Sequence, residues 1–255
     1  MDLVQDFGGR PRCLAADSRI RGSMAGGHMG ERCRHTEELF DRWAASYGQS
    51  PGEEGLFTGY RHSLEQTAAL ACVTAGMKVL DIGIGTGALA ERVAGEGVQV
   101  WGIDISSRML ERCRARHPAF HLQRGHFLDI PFADGFFDLV VSSFAFHHLM
   151  PGEYEKALAE ALRVVIPGGR FVITDIMFAS EEERENARRR LAAWWDGEEV
   201  YPLVPAVTAA AMRAGATRVE SHRLGWLHWA VTGNKPETRR GDGGAPRPPR
   251  AVTVS

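Results

Sequence analysis

The chain has 255 residues, 44% hydrophobic and 24% charged, which suits one soluble globular domain with appendages. A formal net charge of -2 gives no global pull toward nucleic acid or an anionic membrane. No run approaches the roughly 20 apolar residues of a membrane span, and the N-terminus lacks the apolar core of a signal peptide, so neither membrane insertion nor secretion is expected.

Residues 1–34, rich in Gly and Arg and without hydrophobic period, predict a disordered leader. Residues 234–255, with Gly-Asp-Gly-Gly and Pro-Arg-Pro-Pro-Arg, predict a disordered tail. The folded domain is therefore expected over 35–233. Cys13, Cys33, Cys72 and Cys113 form no C-x-x-C pair, which suits a reducing cytoplasm and offers no zinc framework; no metal ligand set stands out.

Leu39, Phe40, Trp43, Ala44 and Tyr47 recur at helical spacing, and a second helical stretch covers about 60–74. Strand-like runs then alternate with helical ones: Lys78 to Ile82, a helix to about Ala94, Val98 to Asp104, a helix from Ser106, and Phe120 to Gln123. Asp138 to Ser143, a helix over about 152–165, and Arg170 to Ile176 continue the series. Such alternation predicts βαβ units and a mostly parallel sheet. The charged stretch 180–195 mixes acids and bases at helical spacing and reads as a solvated helix face. A short Ala-rich helix near 206–213 leads to runs 217–224 and 226–232, which only Gly225 separates, so an antiparallel hairpin is expected.

Chemistry concentrates where the first strand ends, in Val79-Leu80-Asp81-Ile82-Gly83-Ile84-Gly85-Thr86-Gly87. Glycines let the backbone turn sharply and approach a ligand, while the following helix presents free N–H groups. Asp104 ends the second strand, followed by Ile105, where a carboxylate can accept from both hydroxyls of a ribose. Up to this point the pattern suits a nicotinamide dinucleotide as well as an adenosyl cofactor.

The further segments are Gly125-His126-Phe127, then Phe137 to Leu149 with Ser142-Ser143 and His147-His148, then Pro167-Gly168-Gly169. In this order they resemble class I S-adenosylmethionine (SAM)-dependent methyltransferases, especially the small-molecule subgroup of the ubiquinone and menaquinone biosynthesis enzymes. The resemblance implies an α/β fold with a doubly wound, seven-stranded Rossmann-like sheet. Its strand order would be 3-2-1-4-5-7-6 with the last strand antiparallel, and a helical N-terminal cover would be added.

It also implies SAM as cofactor and a small-molecule methyl acceptor as partner. Gly83, Gly85 and Gly87 would surround the methionyl part, Asp81 would lie near its amino group, and Asp104 would hold the ribose. Tyr47 would reach the methionyl end, and Ser143 would stand beside the transfer point. Many relatives carry an acid where this chain has His126. A neutral imidazole can accept one hydrogen bond from the adenine amino group; the Phe127 backbone or Asp129 are the alternatives. His147 or His148 is the candidate general base. Two rival readings stay open: a SAM-binding protein without transferase activity, and a nicotinamide-dependent oxidoreductase.

Overall fold

The computed structural model describes residues 55–197 and 199–237. The expected leader, the helix around Tyr47, Glu198 and residues 238–255 lie outside the described residues. A 3-10 turn over Gly55–Phe57 precedes α1 (Tyr60–Ala71). Then follow β1 (Lys78–Ile82), α2 (Ala88–Val93), β2 (Gln99–Asp104), α3 (Ser107–Arg116), β3 (His121–Arg124) and β4 (Phe137–Ser143). The remainder is α4 (Tyr154–Val164), β5 (Val165–Ile176), α5 (Glu181–Arg190), α6 (Val204–Arg213), β6 (Thr217–Arg223) and β7 (His228–Asn234).

The strands form one sheet in the order β3-β2-β1-β4-β5-β7-β6. β1 to β5 pair in parallel, whereas β7 runs antiparallel between β5 and β6, as the sequence led us to expect. Successive residues of a strand face opposite sides, so neighbours feed two cores. Leu80, Val140 and Ile173 pack under α4 and α6, while Val79, Val141 and Val172 pack under α1 and α2. The helices fit these faces by their spacing: in α4 the buried Tyr154, Ala157, Leu158, Ala161 and Leu162 make a single stripe.

Three boundaries differ from expectation. β5 begins at Val165 rather than Arg170, because Pro167-Gly168-Gly169 is an irregularity inside the strand: pairing shifts between Phe137↔Val165 and Leu139↔Arg170. α5 stops at Arg190. It is capped by the Ser180 hydroxyl accepting from the Glu183 N–H, carries acids in its first turn and arginines in its last, and buries only Ala187, so it is the solvated helix the charges suggested. Lastly, β7 extends through Asn234, and the Lys235 ammonium donates to the carbonyls of Val165 (2.7 Å) and Arg163 (3.1 Å). The strand thus ends two residues beyond the expected run 226–232.

Candidate active site at the strand tips

A cavity opens at the carboxyl ends of β1, β2 and β4, where the chain order in the sheet reverses, which is where open α/β sheets bind ligands. Its floor is the glycine loop after β1. Gly83 has φ +71°, and a Cβ there would stand 2.4 Å from the Ala145 Cβ, so glycine lets the exits of β1 and β4 touch. Gly85 has φ +53°, and a Cβ there would meet no atom within 4 Å. Both border the cavity. Gly87 does not: it is the left-handed N-cap of α2, and a Cβ would press on the His117 ring at 2.8 Å, so its role is packing against α3.

Asp81 also stays off the cavity wall. It lies buried beneath the loop, accepts the Ala90 N–H in the first turn of α2, and keeps Oδ1 without a hydrogen-bond partner. Burial, and then the charge of Asp104, hold its carboxyl well above the usual range.

Asp104 is on the wall, with Ile105 beside it. Its Oδ2 accepts the Gly85 N–H and its Oδ1 the Ser106 N–H, both at 2.9 Å. These two bonds fix the carboxylate in place at the tip of β2. Across the cavity stand His126 and Phe127, the latter buried with its ring edge-on to Phe146 at 5.5 Å. His126 Nδ1 accepts the Leu128 N–H at 3.2 Å, so the neutral ring carries its proton on Nε2. That hydrogen bond occupies Nδ1, the ring nitrogen that would otherwise be an acceptor. Asp129 is exposed and absent from the wall, so it offers no substitute acceptor there.

The exit of β4 supplies the remaining side. The Ser142 hydroxyl turns inward to the Ile82 carbonyl at 2.7 Å, while Ser143 borders the cavity. Phe144 adopts φ +53°, rare for an aromatic residue and costing about 1–3 kcal/mol unless its surroundings impose it. Here they do: its N–H donates to the Thr174 carbonyl, and its ring packs 4.8 Å from both Tyr60 and His228. Tyr60 and Phe144 thus form an aromatic wall. Other aromatic residues lie elsewhere: Phe146 is core, Trp194 is 52% exposed, and Trp195 and Tyr201 pack with Phe178 in a separate cluster. Tyr60 carried no signal beyond its place at a helix start.

The two histidines separate sharply. His147 is buried and off the wall, with Nδ1 2.6 Å from Asp175 Oδ1. Burial disfavours its charge, but the Asp175 and Glu199 carboxylates override that and push its pKa up to about 10. A ring that keeps its proton accepts none, and His147 does not border the cavity. His148 borders the cavity; burial and the adjacent imidazolium push it down to about 3, so it is neutral at pH 7. Glu199 lies against both rings. Burial raises its pKa, yet hydrogen bonding and charge from His147 bring it to about 2.

Comparison with known proteins agrees with this geometry. A family described as a methyltransferase domain matches residues 80–173. An uncharacterized methyltransferase of Staphylococcus carnosus is 35% identical over 172 residues, which cover 65% of this chain and 78% of that protein. One from Geobacillus sp. is 32% identical over 207 residues, covering 76% and 96%. Among solved structures, magnesium protoporphyrin IX methyltransferase from Synechocystis with bound SAH shares the fold, with TM-score 0.61 at 15% identity over 80% of this chain and 99% of that one.

Proposed function

The chain belongs to the methyltransferase family, and from that premise we propose that it transfers the methyl group of SAM to a small-molecule acceptor at the cavity's aromatic wall. S-adenosyl-L-methionine is the cofactor. The cavity suits it, because a fixed carboxylate, an uncrowded glycine and an orphaned buried Asp81 oxygen lie around one strand tip. Asp104 accepts from the ribose hydroxyls, and Gly83 and Gly85 give the methionyl part backbone access. Asp81 acts from below the loop, and Ile105 and Phe127 sandwich the adenine, with the His126 Nε2–H at its edge. Gly87 supports that loop through α3, and Tyr47 belongs to the expected cover.

SAM supplies an activated methyl group, which the acceptor's lone pair takes in line as the carbon–sulfur electrons return to sulfur. The protein's part is positioning and exclusion of water. Tyr60, Phe144 and Leu149 present apolar surface, Ser143 offers a hydroxyl, and His148 and Glu153 place polar atoms on the same wall. As a neutral ring, His148 is the group placed to take a proton from an oxygen or nitrogen acceptor.

The single observation that carries this reading is the continuity of the cavity from Asp104 to Phe144 and His148. An aromatic-lined cavity favours a small acceptor, in keeping with the motif likeness to the ubiquinone and menaquinone subgroup. Free Cys72 and Cys113 accord with a cytoplasmic setting, and no helix among the described residues is long and apolar enough to cross a membrane. The family assignment displaces the nicotinamide reading. Calorimetry with SAM and S-adenosylhomocysteine, followed by labelled methyl transfer to a panel of phenols, amines, thiols and carboxylic acids, tests the proposal. Binding with transfer to a small acceptor is expected; binding with no transfer to any of these classes would favour a SAM-binding protein without transferase activity.

A further inference from the structure

His147, His148 and Glu199 each turn one ligand atom toward a common point: among the described residues, these atoms lie within 4.8 Å of one another. Glu199 Oε1 is 3.5 Å from His147 Nε2 and 3.6 Å from His148 Nδ1. Charge-assisted hydrogen bonds close to about 2.7–2.9 Å, so neither pair is drawn fully together. These two separations approach the edge of a tetrahedron, about 3.4 Å, around a centre about 2.0–2.1 Å from nitrogen and oxygen donors, and the third pair lies within 4.8 Å.

The surroundings hold the donors in that arrangement. Asp175 is fully buried; its Oδ1 meets His147 Nδ1 at 2.6 Å, and its carboxylate accepts the N–H groups of Phe146, His147 and Ile176. A carboxylate on the far nitrogen of an imidazole fixes the ring and raises its basicity as a ligand. Tyr201 hydrogen-bonds to Glu199 and steadies the third donor.

We propose that His147 Nε2, His148 Nδ1 and Glu199 Oε1 bind a divalent transition-metal ion, zinc foremost, at the rim of the cofactor cavity. Two imidazoles and one carboxylate suit zinc, whereas magnesium and calcium prefer oxygen donors. The ion displaces the His147 Nε2 proton, which leaves to solvent. Three protein ligands leave a fourth position open, and His148 places it on the cavity wall. That position takes the oxygen, nitrogen or sulfur of an acceptor and makes it easier to deprotonate; with Nδ1 on the ion, His148 no longer takes that proton, which leaves to water. This use rests on the methyl-transfer reading; the metal site itself does not. It replaces the sequence expectation of no metal ligands, because Glu199 stands far along the chain from the His pair and shares no spacing motif with it.

The test uses the full chain, stripped with a chelator and titrated with zinc chloride in a calorimeter, with magnesium chloride as control. We expect one zinc per chain at micromolar affinity or tighter and no comparable magnesium binding. Glu199→Gln and His148→Ala should each weaken zinc at least about tenfold. Glu199 does not border the cavity, so Glu199→Gln should still bind S-adenosylhomocysteine, which also reports that it is folded. No zinc uptake by the wild type, or wild-type affinity for zinc in both variants, would overturn the site. Loss of S-adenosylhomocysteine binding in the wild type with zinc intact would instead count against the cofactor reading.

Discussion

The Gly85 N–H donates to Asp104 Oδ2 at 2.9 Å, so the loop after β1 and the acid at the tip of β2 form one unit. On the proposed reading, substituting Asp104 removes the ribose acceptor and also loosens the Gly85 backbone. Charge-assisted bonds contribute about 1.5–3 kcal/mol each. Asp104→Ala should weaken SAM and S-adenosylhomocysteine by about tenfold or more in calorimetry. Asp104→Asn, which keeps one accepting oxygen, should fall between. Wild-type affinity in Asp104→Ala would take this residue out of the site.

Gly83 and Gly85 share a left-handed backbone but should fail differently. At Gly83 an added methyl collides with Ala145 across two strand exits, so Gly83→Ala should lower the melting temperature as well as cofactor affinity. At Gly85 the added atom meets open space, and Gly85→Ala should mainly reduce affinity. Thermal melts with and without S-adenosylhomocysteine separate the two effects; equal melting temperatures for both variants would contradict the Gly83–Ala145 contact.

The sheet was legible because apolar runs and glycine turns alternate along the chain, and because Gly225 marked the closing hairpin. β5 was cut short since Pro167-Gly168-Gly169 has the composition of a turn. It is held in the sheet by pairing that is remote in sequence, with the Gly168 N–H donating to the Lys235 carbonyl and the Lys235 N–H to the Gly169 carbonyl. The site was legible as a motif but not residue by residue. Gly85 and Gly87 look alike until His117 packs on one of them. His147 and His148 are distinguished by the Asp175 carboxylate bonded to His147 Nδ1, which is remote in sequence, as is Glu199.

His228 makes stability depend on pH. It is fully buried; its Nε2–H donates to the Leu56 carbonyl and its Nδ1 accepts the Ser63 hydroxyl, both at 2.8 Å. Burial lowers its pKa, opposed by the Leu56 carbonyl and the charge of Asp175. The unfolded chain takes up a proton near pH 6.5, whereas the folded protein resists it. Since the unfolded state then binds more protons, stability is present above about 6.5 and declines as pH falls below it. His228→Gln should melt lower at pH 7 yet lose less stability between about pH 6.5 and 5. The depressed His148 is present in both proteins and cancels from the difference. Parallel melting curves against pH would remove His228 as a source.

The last prediction turns on a single proton in His126. Because Nδ1 accepts the Leu128 N–H, the neutral ring holds its proton on Nε2 and donates. An adenine edge offers acceptor nitrogens as well as its amino group, so on the proposed reading this donor pairs with a ring nitrogen. An acid in its place, which would suit an amino group, presents an acceptor to an acceptor. His126→Asp should therefore weaken S-adenosylhomocysteine binding, and by no less than His126→Ala. A neutral hydrogen bond of about 0.5–1.5 kcal/mol sets the alanine loss at roughly two- to tenfold. His126→Gln, whose amide supplies an N–H, should recover part of that loss. Calorimetry on the three variants decides the matter: tighter binding by His126→Asp would mean that the ring accepts from the amino group after all, and equal affinities throughout would mean that it does not touch adenine.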